Sequence, residues 1–416
     1  MSERTSPHAV IVGAGIGGLA AANALSQRGW QITVLERAPA LGAAGACLGI
    51  APNGLRALDA IGLGDAIRAR SSQPGQAGVL RPNGRWITRA DVDAVQARFG
   101  DPIGLVYRRD LLDLLADALP AGSVRTGMPV TAVDPGDTSR RAQVTAGAEA
   151  EVLDADLVVA ADGLRSVVRQ AVFPDHPGTA YAGYTTWRFI ADAVPGADSG
   201  MRVGETWGRG SRFAALPLSD GRFYCYATAN HVAGLHHDDN QAVLRESFGS
   251  WHEPIPSLID ATAAEEIIHT DVHVLAQPLP AFHAGRVALL GDAAHPMTPD
   301  LGQGGCQALE DAVVLAHLLA AADPMTVPDC LATYTDVRRP RTQTIVRRSQ
   351  RVGAFSQADG PVRTRLRDAA VRLGGLLPAS MVARGLDPVL GWRPPTSGNG
   401  VVDRPSEALH ERNARD

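Results

Sequence analysis

Near the start of the chain, the hydrophobic residues form two short apolar runs separated by a stretch with helical spacing. Ala9 to Val12 is an apolar run of strand length, Leu19 to Ser26 is rich in alanine with helical spacing, and Trp30 to Leu35 predicts another strand. Gly13 to Gly18 joins the first strand to the helix. This order predicts a βαβ unit, the building block of a parallel sheet covered by helices.

A second apolar run, Arg286 to Leu290, ends at a carboxylate. The run is aliphatic and predicts a buried strand, which Gly291 and Asp292 close. The glycine-rich loop Pro299 to Gly305 follows, and Cys306 to Ala322 then repeats apolar residues at helical spacing. Because a helix N-terminus has unpaired N–H groups and a partial positive charge, this turn is a candidate anion site.

The same patterns predict further elements along the chain. The predicted helices are Pro52 to Ile61, an amphipathic helix that begins near Arg108, and Thr326 to Arg351, which we expect to break near Pro340. The predicted strands lie within Val79 to Arg89, which alternates as part of a sheet insertion, and at Val130 to Val133, Ala142 to Val144, Leu157 to Ala160, Tyr184 to Ile190 and Arg222 to Thr228.

The first glycine cluster has the spacing of a dinucleotide-binding fingerprint. Gly13 suits the tight turn, Gly15 the close approach of a ligand to the backbone, and Gly18 the packing of helix on strand. Glu36 lies about 20 residues further on, at a strand end, where an acid binds a ribose hydroxyl. The fingerprint occurs once, so the sequence predicts one built-in dinucleotide site; a structural turn without a ligand is the alternative.

Composition narrows the classes of function. The chain has 416 residues, of which 45% are hydrophobic, enough for two domains or one large one. The net charge is −5 without a charged tail, so we expect no nucleic-acid partner. Uninterrupted apolar runs are too short to predict a membrane span, and no signal peptide is evident, so we expect a cytoplasmic protein.

The titratable residues exclude several kinds of chemistry. All 39 basic residues are arginine, which rules out a Walker-type phosphate loop, a pyridoxal phosphate link and a lysine nucleophile. The four cysteines are widely spaced, so neither a disulfide framework nor a zinc site is predicted. His236 to Asp239 resembles a metal cluster, but we interpret it as a solvated loop and predict no metal site.

Three motifs in order carry a family resemblance: Gly13 to Gly18, Asp162 to Arg169, and Gly291-Asp292 with the Pro299 to Gly305 loop. With them the chain resembles the single-component FAD-dependent aromatic hydroxylases, the group of para-hydroxybenzoate hydroxylase, salicylate hydroxylase and urate hydroxylase. The resemblance runs over roughly residues 8 to 350. Arg108 matches the arginine at the family's corresponding helix start.

The resemblance implies an α/β fold with three parts. A Rossmann-like FAD-binding domain of the glutathione-reductase type would be assembled from residues 1–72, 98–175 and 280–350. A β-sheet substrate-binding domain would comprise residues 73–97 and 176–279, and residues 351–416 would form C-terminal helices and a tail.

The resemblance also implies a role for each motif residue. Gly13, Gly15 and Gly18 would lie against the FAD pyrophosphate, Glu36 with Arg37 would bind the adenosine ribose, and Arg108 would neutralise pyrophosphate charge. Asp292 would hydrogen-bond the cofactor's hydroxyls, while Pro299, Gly302, Gly304 and Gly305 would lie beside the isoalloxazine. Pro299, like Arg188, is a candidate catalytic residue. Asp162 would serve both the structure of the FAD domain and NAD(P)H, and Arg165 and Arg169 would bind the transient NADPH or NADH.

The implied activity is monooxygenation of a small aromatic or unsaturated substrate with NAD(P)H and dioxygen, through a flavin hydroperoxide. The alternatives are a flavin oxidase or dehydrogenase on the same fold, and a non-catalytic FAD-bound redox sensor. Arg188 could hold an anionic substrate or be an exposed sheet residue. Tyr184, Trp187, Phe213 and Tyr226 could line the pocket or belong to the core. A monomer or homodimer is expected.

Overall fold

A computed structural model describes residues 6–42, 47–73, 77–194, 204–320 and 323–396. The strands, numbered in chain order, are β1 (His8–Val12), β2 (Gln31–Leu35), β3 (Cys47–Ile50), β4 (Ala77–Leu80), β5 (Trp86–Ala90), β6 (Gly104–Tyr107), β7 (Val124–Arg125), β8 (Val130–Asp134), β9 (Ala142–Ala146), β10 (Glu151–Ala155), β11 (Leu157–Ala160), β12 (Thr179–Ala191), β13 (Gly204–Trp207), β14 (Ser211–Pro217), β15 (Phe223–Asn230), β16 (Ile268–Leu275), β17 (His283–Ala284) and β18 (Val287–Leu289).

The α-helices follow the same numbering. They are α1 (Ile16–Ser26), α2 (Pro52–Ala60), α3 (Gly64–Arg68), α4 (Val92–Phe99), α5 (Arg108–Asp117), α6 (Val167–Val172), α7 (Asn240–Phe248), α8 (Ile255–Asp260), α9 (Gly304–Leu318), α10 (Val327–Ser356), α11 (Pro361–Gly374), α12 (Ala379–Arg384) and α13 (Asp387–Leu390).

The first sheet contains the predicted βαβ unit. Its strand order is β17-β18-β11-β1-β2-β7, and β1 runs parallel to both β2 and β11. Every residue of β11 and β18 is buried, as expected for parallel strands with both faces covered. The carboxyl ends of β1, β11 and β18 therefore meet at one edge, which is where open α/β sheets bind ligands.

The second sheet has the order β16-β12-β15-β14-β13-β4-β5 and is mainly antiparallel. One of its faces carries Trp187, Phe189 and Phe213, which pack with Phe248 and Leu258 of α7 and α8. Because side chains alternate along a strand, the residues between them point to the other face. The strands of residues 77–90 and 179–275 share this sheet, which supports the predicted division into domains; that division stays a prediction.

Helix α10 corrects one expectation. It runs from Val327 to Ser356 without a break at Pro340. A proline inside a helix removes one N–H bond at a cost of about 3 kcal/mol. The residues on both sides are held by tertiary contacts, since Tyr334 and Arg338 before the proline and Ile345 after it are buried. Packing therefore outweighs the local cost.

The C-terminal part has the predicted helical character up to Leu390. Helices α11, α12 and α13 follow α10, while the expected tail at residues 397–416 lies outside the described residues. Every helix in the described ranges is too short or too polar to cross a lipid bilayer.

Candidate active site

A cavity of about 540 Å³ opens at the carboxyl edge of the first sheet, between the start of α1 and the start of α9. The sequence-predicted residues that line it are Gly13, Gly15, Glu36, Arg37, Arg108, Asp162, Arg165, Asp292, Gly304 and Gly305. Residues from four separate motifs thus meet around one space. Gly18, Arg169, Arg188, Pro299 and Gly302 are not part of its lining.

The three fingerprint glycines have different surroundings. Gly13 has φ +99°, and a Cβ there would lie 2.6 Å from the carbonyl oxygen of Ala161. A Cβ on Gly18 would lie only 1.9 Å from the carbonyl oxygen of Gly13. Around Gly15, by contrast, no atom of the described residues beyond its own neighbours comes within 4 Å of the Cβ position. Gly13 and Gly18 therefore shape the turn, and Gly15 leaves room for a ligand.

Two helices begin at this cavity. Helix α1 begins after Gly15 and α9 begins after Gln303, and in the described structure neither has a side chain capping its first turn. Gly302, with φ +60°, ends the short 3₁₀ turn Pro299–Leu301 and redirects the chain into α9. Free N–H groups and the helix dipole at both starts favour a ligand with negative charge.

The end of the cavity near β2 combines an acid with apolar side chains. The Glu36 carboxylate accepts hydrogen bonds from the N–H groups of Ala14 and Ala38, both at 2.9 Å. Met128 lines the cavity beside it, and its N–H donates to the carbonyl of Glu36 at 2.8 Å. Leu35 and Val130 add to the apolar wall. This end suits a flat apolar ring attached to a hydroxylated sugar.

The middle of the cavity is bordered by Asp292 and Arg108. Asp292 lies in a 3₁₀ turn directly after β18, and its side chain is open to the cavity. Desolvation by the surrounding protein raises the pKa of its carboxyl, while the charges of His295, Arg108 and Arg169 oppose that rise. Burial lowers the pKa of Arg108, and the charge of Asp292 partly restores it. This pair offers a hydroxyl acceptor and a cation to one ligand.

Asp162 provides a direct test of whether a ligand fits here. Its Oδ2 accepts a hydrogen bond from the N–H of Val168 at 3.2 Å, but its Oδ1 is buried without a partner in the described residues. A buried acceptor without a donor costs roughly 1–3 kcal/mol. The cavity therefore suits a ligand that donates a hydrogen bond to this oxygen. Arg165, at the same loop, is exposed.

Arg169 corrects a second expectation. It is only 2% exposed, and its guanidinium donates to the carbonyls of Leu164 at 2.6 Å and Ala293 at 3.0 Å. It therefore ties the loop after β11 to the turn that carries Asp292. The predicted contact of Arg169 with a nicotinamide cofactor does not agree with this burial, and we reassign it as a positioning residue.

Buried charged side chains also contact the turn that carries Asp292 and fix its position. The Asp311 carboxylate accepts hydrogen bonds from the N–H of Gly291 at 3.0 Å, from His295 Nε2 at 2.5 Å and from Arg338 Nε at 2.6 Å. Burial alone would raise the pKa of Asp311, but His295 and Arg338 bring it well below its ordinary value. His295 thus has a structural hydrogen bond that helps to fix this turn.

Arg188 lies on the face of the second sheet opposite to its α7–α8 core. It is paired with Tyr226 of the neighbouring strand β15, and its Nη2 donates to Thr270 Oγ1 at 3.3 Å. Its Nε is buried and has no hydrogen-bond partner among the described residues. The Arg188 charge also contributes to the lowered pKa of Arg108. A cation with an unpaired buried donor is suited to an anionic ligand.

The same pleat separates the four candidate aromatic residues. Tyr184 and Tyr226 share the face of Arg188, whereas Trp187 and Phe213 belong to the core beneath α7 and α8. The pocket interpretation is therefore wrong for Trp187 and Phe213. Apolar residues extend the Arg188 face towards β3 and β6; they are Cys47, Leu105, Ile190, Leu216, Leu218 and Tyr224.

The sequence does not predict the pairing of Asp300 with Arg212 near the loop at Pro299. Pro299 itself is exposed, but the neighbouring Asp300 accepts hydrogen bonds from Arg212 Nη2 at 2.7 Å and Tyr184 Oη at 2.8 Å. Arg212 also pairs with Glu205 at 3.2 Å. Although burial lowers the pKa of Arg212, Glu205 and Asp300 raise it overall. An arginine inside the apolar run of β14 is the only sequence signal, and it does not identify the partner.

The His236 to Asp239 segment and Cys47 add no reactive group to the described site. The described residues include no group of three or more His, Cys, Asp or Glu side chains that could hold a metal ion, and His236 and Asp238 are exposed as expected. Burial raises the pKa of Cys47 to about 12, so its thiol stays protonated near neutral pH. Cys47 packs among the apolar residues of the Arg188 face.

Comparison with known proteins identifies the class. The profile of the family described as FAD binding domain matches residues 7–349. The chain is 36% identical over 371 residues to aurachin C monooxygenase/isomerase of Stigmatella aurantiaca, covering 89% of this chain and 95% of that protein. It is 35% identical over 360 residues to 3-amino-4-hydroxybenzoate 2-monooxygenase of Streptomyces cremeus, covering 84% and 88%.

A solved structure extends the comparison to the fold. Klebsiella pneumoniae HpxO complexed with FAD and uric acid superposes with a TM-score of 0.83 and 29% identity, covering 91% of this chain and 95% of that one. The chain thus belongs to the FAD-binding domain family of flavoprotein monooxygenases. The predicted α/β fold, the FAD cofactor and the assignment as an FAD-dependent hydroxylase are confirmed.

Proposed function

We propose that this FAD-dependent monooxygenase uses NADPH or NADH and dioxygen to hydroxylate a small aromatic substrate that carries a carboxylate or another acidic group. The observation that carries the proposal is Arg188, which has a buried Nε without a partner among the described residues. Two related proteins fit the same class by name, since one acts on an aminohydroxybenzoate and another is complexed with uric acid.

The proposed FAD site follows the order of groups along the cavity. Glu36 would bind the ribose near the apolar wall, while Gly15 and the start of α1 would receive the pyrophosphate, with Arg108 as its cation. Asp292 would accept hydrogen bonds from cofactor hydroxyls, and Gly304 and Gly305 would lie beside the ring system. Bound FAD, once reduced, supplies the oxygen-transfer chemistry with dioxygen.

The chain itself would supply orientation and exclusion of water. Arg188 would hold the acidic group of the substrate and so fix which ring carbon faces the cofactor. The apolar side chains on the same face, among them Ile190, Leu216 and Tyr224, would keep water from the reacting centre. Burial raises the pKa of Tyr224 to about 12, so its hydroxyl keeps its proton.

NADPH or NADH would bind only transiently. The single dinucleotide fingerprint is accounted for by FAD, so the nicotinamide cofactor would use the exposed Arg165 at the cavity mouth. Both the cytoplasmic location and the monomeric or homodimeric state stay predictions.

The test uses the purified yellow protein with a panel of benzoates, phenols and purines. We expect one or more acidic aromatics to stimulate NADPH or NADH oxidation and to gain one oxygen atom from ¹⁸O₂. Oxygen uptake without a nicotinamide cofactor would identify an oxidase instead. Bound FAD with no stimulated oxidation by any compound would favour the redox-sensor alternative.

Arg188→Gln then tests the substrate class. With the best acidic substrate, we expect KM to rise about ten-fold or more, because a charge-assisted hydrogen bond contributes roughly 1.5–3 kcal/mol. A neutral analogue, in which the acidic group is an amide, should show little change in KM. Arg209→Gln, at an exposed position in the turn between β13 and β14, is the control. Equal effects on both substrates would contradict the proposed role.

A further inference from the structure

Large hydrophobic side chains that are exposed to solvent concentrate in one stretch of the C-terminal region. Those between residues 362 and 382 are Val362, Leu366, Leu373, Leu376, Leu377, Met381 and Val382, each at least 48% exposed. Single exposed apolar residues are ordinary, but a contiguous group of them marks an interaction site. Three of them, Val362, Leu366 and Leu373, belong to α11, and we call these three together with Arg363, Arg365 and Arg372 the apolar–arginine face.

Helix α11 shows how this face is presented. Its inner side is fixed by polar contacts, because Arg367 donates to the carbonyls of Gly208 at 2.8 Å and Ser356 at 2.9 Å. Val362, Leu366 and Leu373 lie within about 40° of one another at roughly 100° per residue, on the opposite side of the helix. The helix is therefore docked by one side and leaves an apolar stripe outside.

The charges beside the stripe have one sign. Arg363, Arg365 and Arg372 are exposed and flank the stripe on both sides of α11. The one carboxylate of α11, Asp368, is turned inward, where it pairs with Arg367 at 2.9 Å and Arg81 at 3.0 Å. The chain as a whole carries −5, so this positive charge is a local feature.

We propose that the apolar–arginine face binds the surface of an anionic lipid membrane. An apolar stripe flanked by arginines is the pattern of helices that lie in the membrane interface, where leucines enter the acyl region and guanidiniums contact lipid phosphates. A second copy fits less well, because a two-fold contact through this stripe would bring the same arginine rows together. This inference is independent of the proposed reaction.

The experiment is flotation of the FAD-loaded protein with phosphatidylcholine vesicles that contain either no or about 40% phosphatidylglycerol, at low and high salt. We expect binding only to the anionic vesicles, weaker at high salt because surface charges are screened. The double variant Leu366→Gln/Leu373→Gln should bind about ten-fold more weakly or worse, since each leucine loses burial in the acyl region. Arg365→Gln/Arg372→Gln should also reduce binding.

Matched control variants distinguish binding through the apolar–arginine face from nonspecific adsorption to vesicles. Val152→Gln/Val232→Gln removes two exposed valines elsewhere, and Arg351→Gln removes an exposed arginine elsewhere. Both should bind vesicles like the parent chain, and all variants should keep FAD and the parent melting temperature.

Three outcomes would overturn the proposal. One is no binding of the parent chain to anionic vesicles. Another is a concentration-dependent dimer, in light scattering, that only the leucine variant dissociates. The third is binding seen only in a chain ending at Thr396, which would mean that the last residues cover the face.

Discussion

At the scale of single residues, the fingerprint glycines look alike in sequence but should respond differently to substitution. We expect Gly18→Ala to destabilise the protein even without FAD, because the new Cβ would lie 1.9 Å from the carbonyl oxygen of Gly13. Overpacking of this kind costs roughly 1–3 kcal/mol or more. Urea unfolding of the FAD-free protein measures the loss.

Gly15→Ala is the matched substitution. Its Cβ would enter open space, so the FAD-free protein should unfold like the parent chain. FAD should bind about ten-fold more weakly or worse, as the methyl group occupies the approach to the backbone. Fluorescence titration with FAD measures the affinity. Equal stability losses in both variants would contradict the assignment of Gly15 to ligand approach.

The two arginines of the Asp162 to Arg169 motif provide a second contrast. Arg169→Gln should destabilise the protein by about 1–3 kcal/mol, because the carbonyls of Leu164 and Ala293 lose their donor. Arg165→Gln should leave the melting temperature unchanged and raise KM for NADPH or NADH. Steady-state kinetics and thermal melts of both variants separate the roles. A raised KM in Arg169→Gln at unchanged stability would restore the contact inferred from sequence.

Sequence could predict those site residues whose spacing is local. The glycines near residue 15, Glu36 and Asp292 sit at strand and helix ends that the apolar pattern already marks, and the structure brings them to one cavity. Asp300 and Arg212 could not be paired in this way, because 88 positions separate them and only the packing of two sheets joins them.

At the scale of elements, α9 and α10 are joined by buried carboxylates whose ionisation should make stability depend on pH. Asp311 and Glu310 both have pKa values below their ordinary 3.8 and 4.5, against the effect of burial, with Arg338 helping to lower both. The unfolded chain therefore binds more protons than the folded chain below about pH 4.5. This stabilisation is complete above that pH and is lost as the pH falls through the folded pKa values.

Asp311→Asn tests the network. Removing one partner of a buried ion pair costs about 3–5 kcal/mol, so we expect a large loss of unfolding free energy at pH 7. The dependence of stability on pH between about 4.5 and 2 should also become shallower. Urea unfolding over this range measures both effects. Arg109→Gln, which breaks an exposed pair with Asp113, is the control and should leave both unchanged. An unchanged pH profile in Asp311→Asn would contradict the prediction.

The elements themselves were largely predictable because each depends on local periodicity. The βαβ unit, the strands β4 and β5 and the start of α5 follow the apolar pattern. The continuity of α10 could not be predicted from the apolar pattern, since Pro340 signals a break. Only the buried contacts of residues such as Arg338 and Ile345 keep both halves aligned. The sequence also could not predict which face of β12 is left uncovered. Alternation alone does not show which face is covered by α7 and α8, and the observed strand pairing was needed to place Arg188 on the other one.

At the scale of the whole molecule, the loop that begins α9 is connected to the second sheet by one buried ion pair. Arg212 of β14 holds Asp300, which also accepts the hydroxyl of Tyr184. Both charged side chains are almost completely buried, so the pair has little competition from solvent. The position of the loop at Gly304 and Gly305 therefore depends on contacts made by the second sheet.

Arg212→Met should loosen this connection while leaving FAD bound. It keeps the length of the side chain but leaves Asp300 without its cation, which costs about 3–5 kcal/mol. A less firmly placed loop shields the reacting centre poorly, so we expect more hydrogen peroxide and less hydroxylated product for each NADPH or NADH oxidised. Product yield, peroxide release and NAD(P)H oxidation are measured together. Arg222→Gln, which breaks an exposed pair with Asp220, is the matched control. If Arg212→Met forms product in the parent ratio, the ion pair stabilises the fold but does not couple the sheet to the reaction.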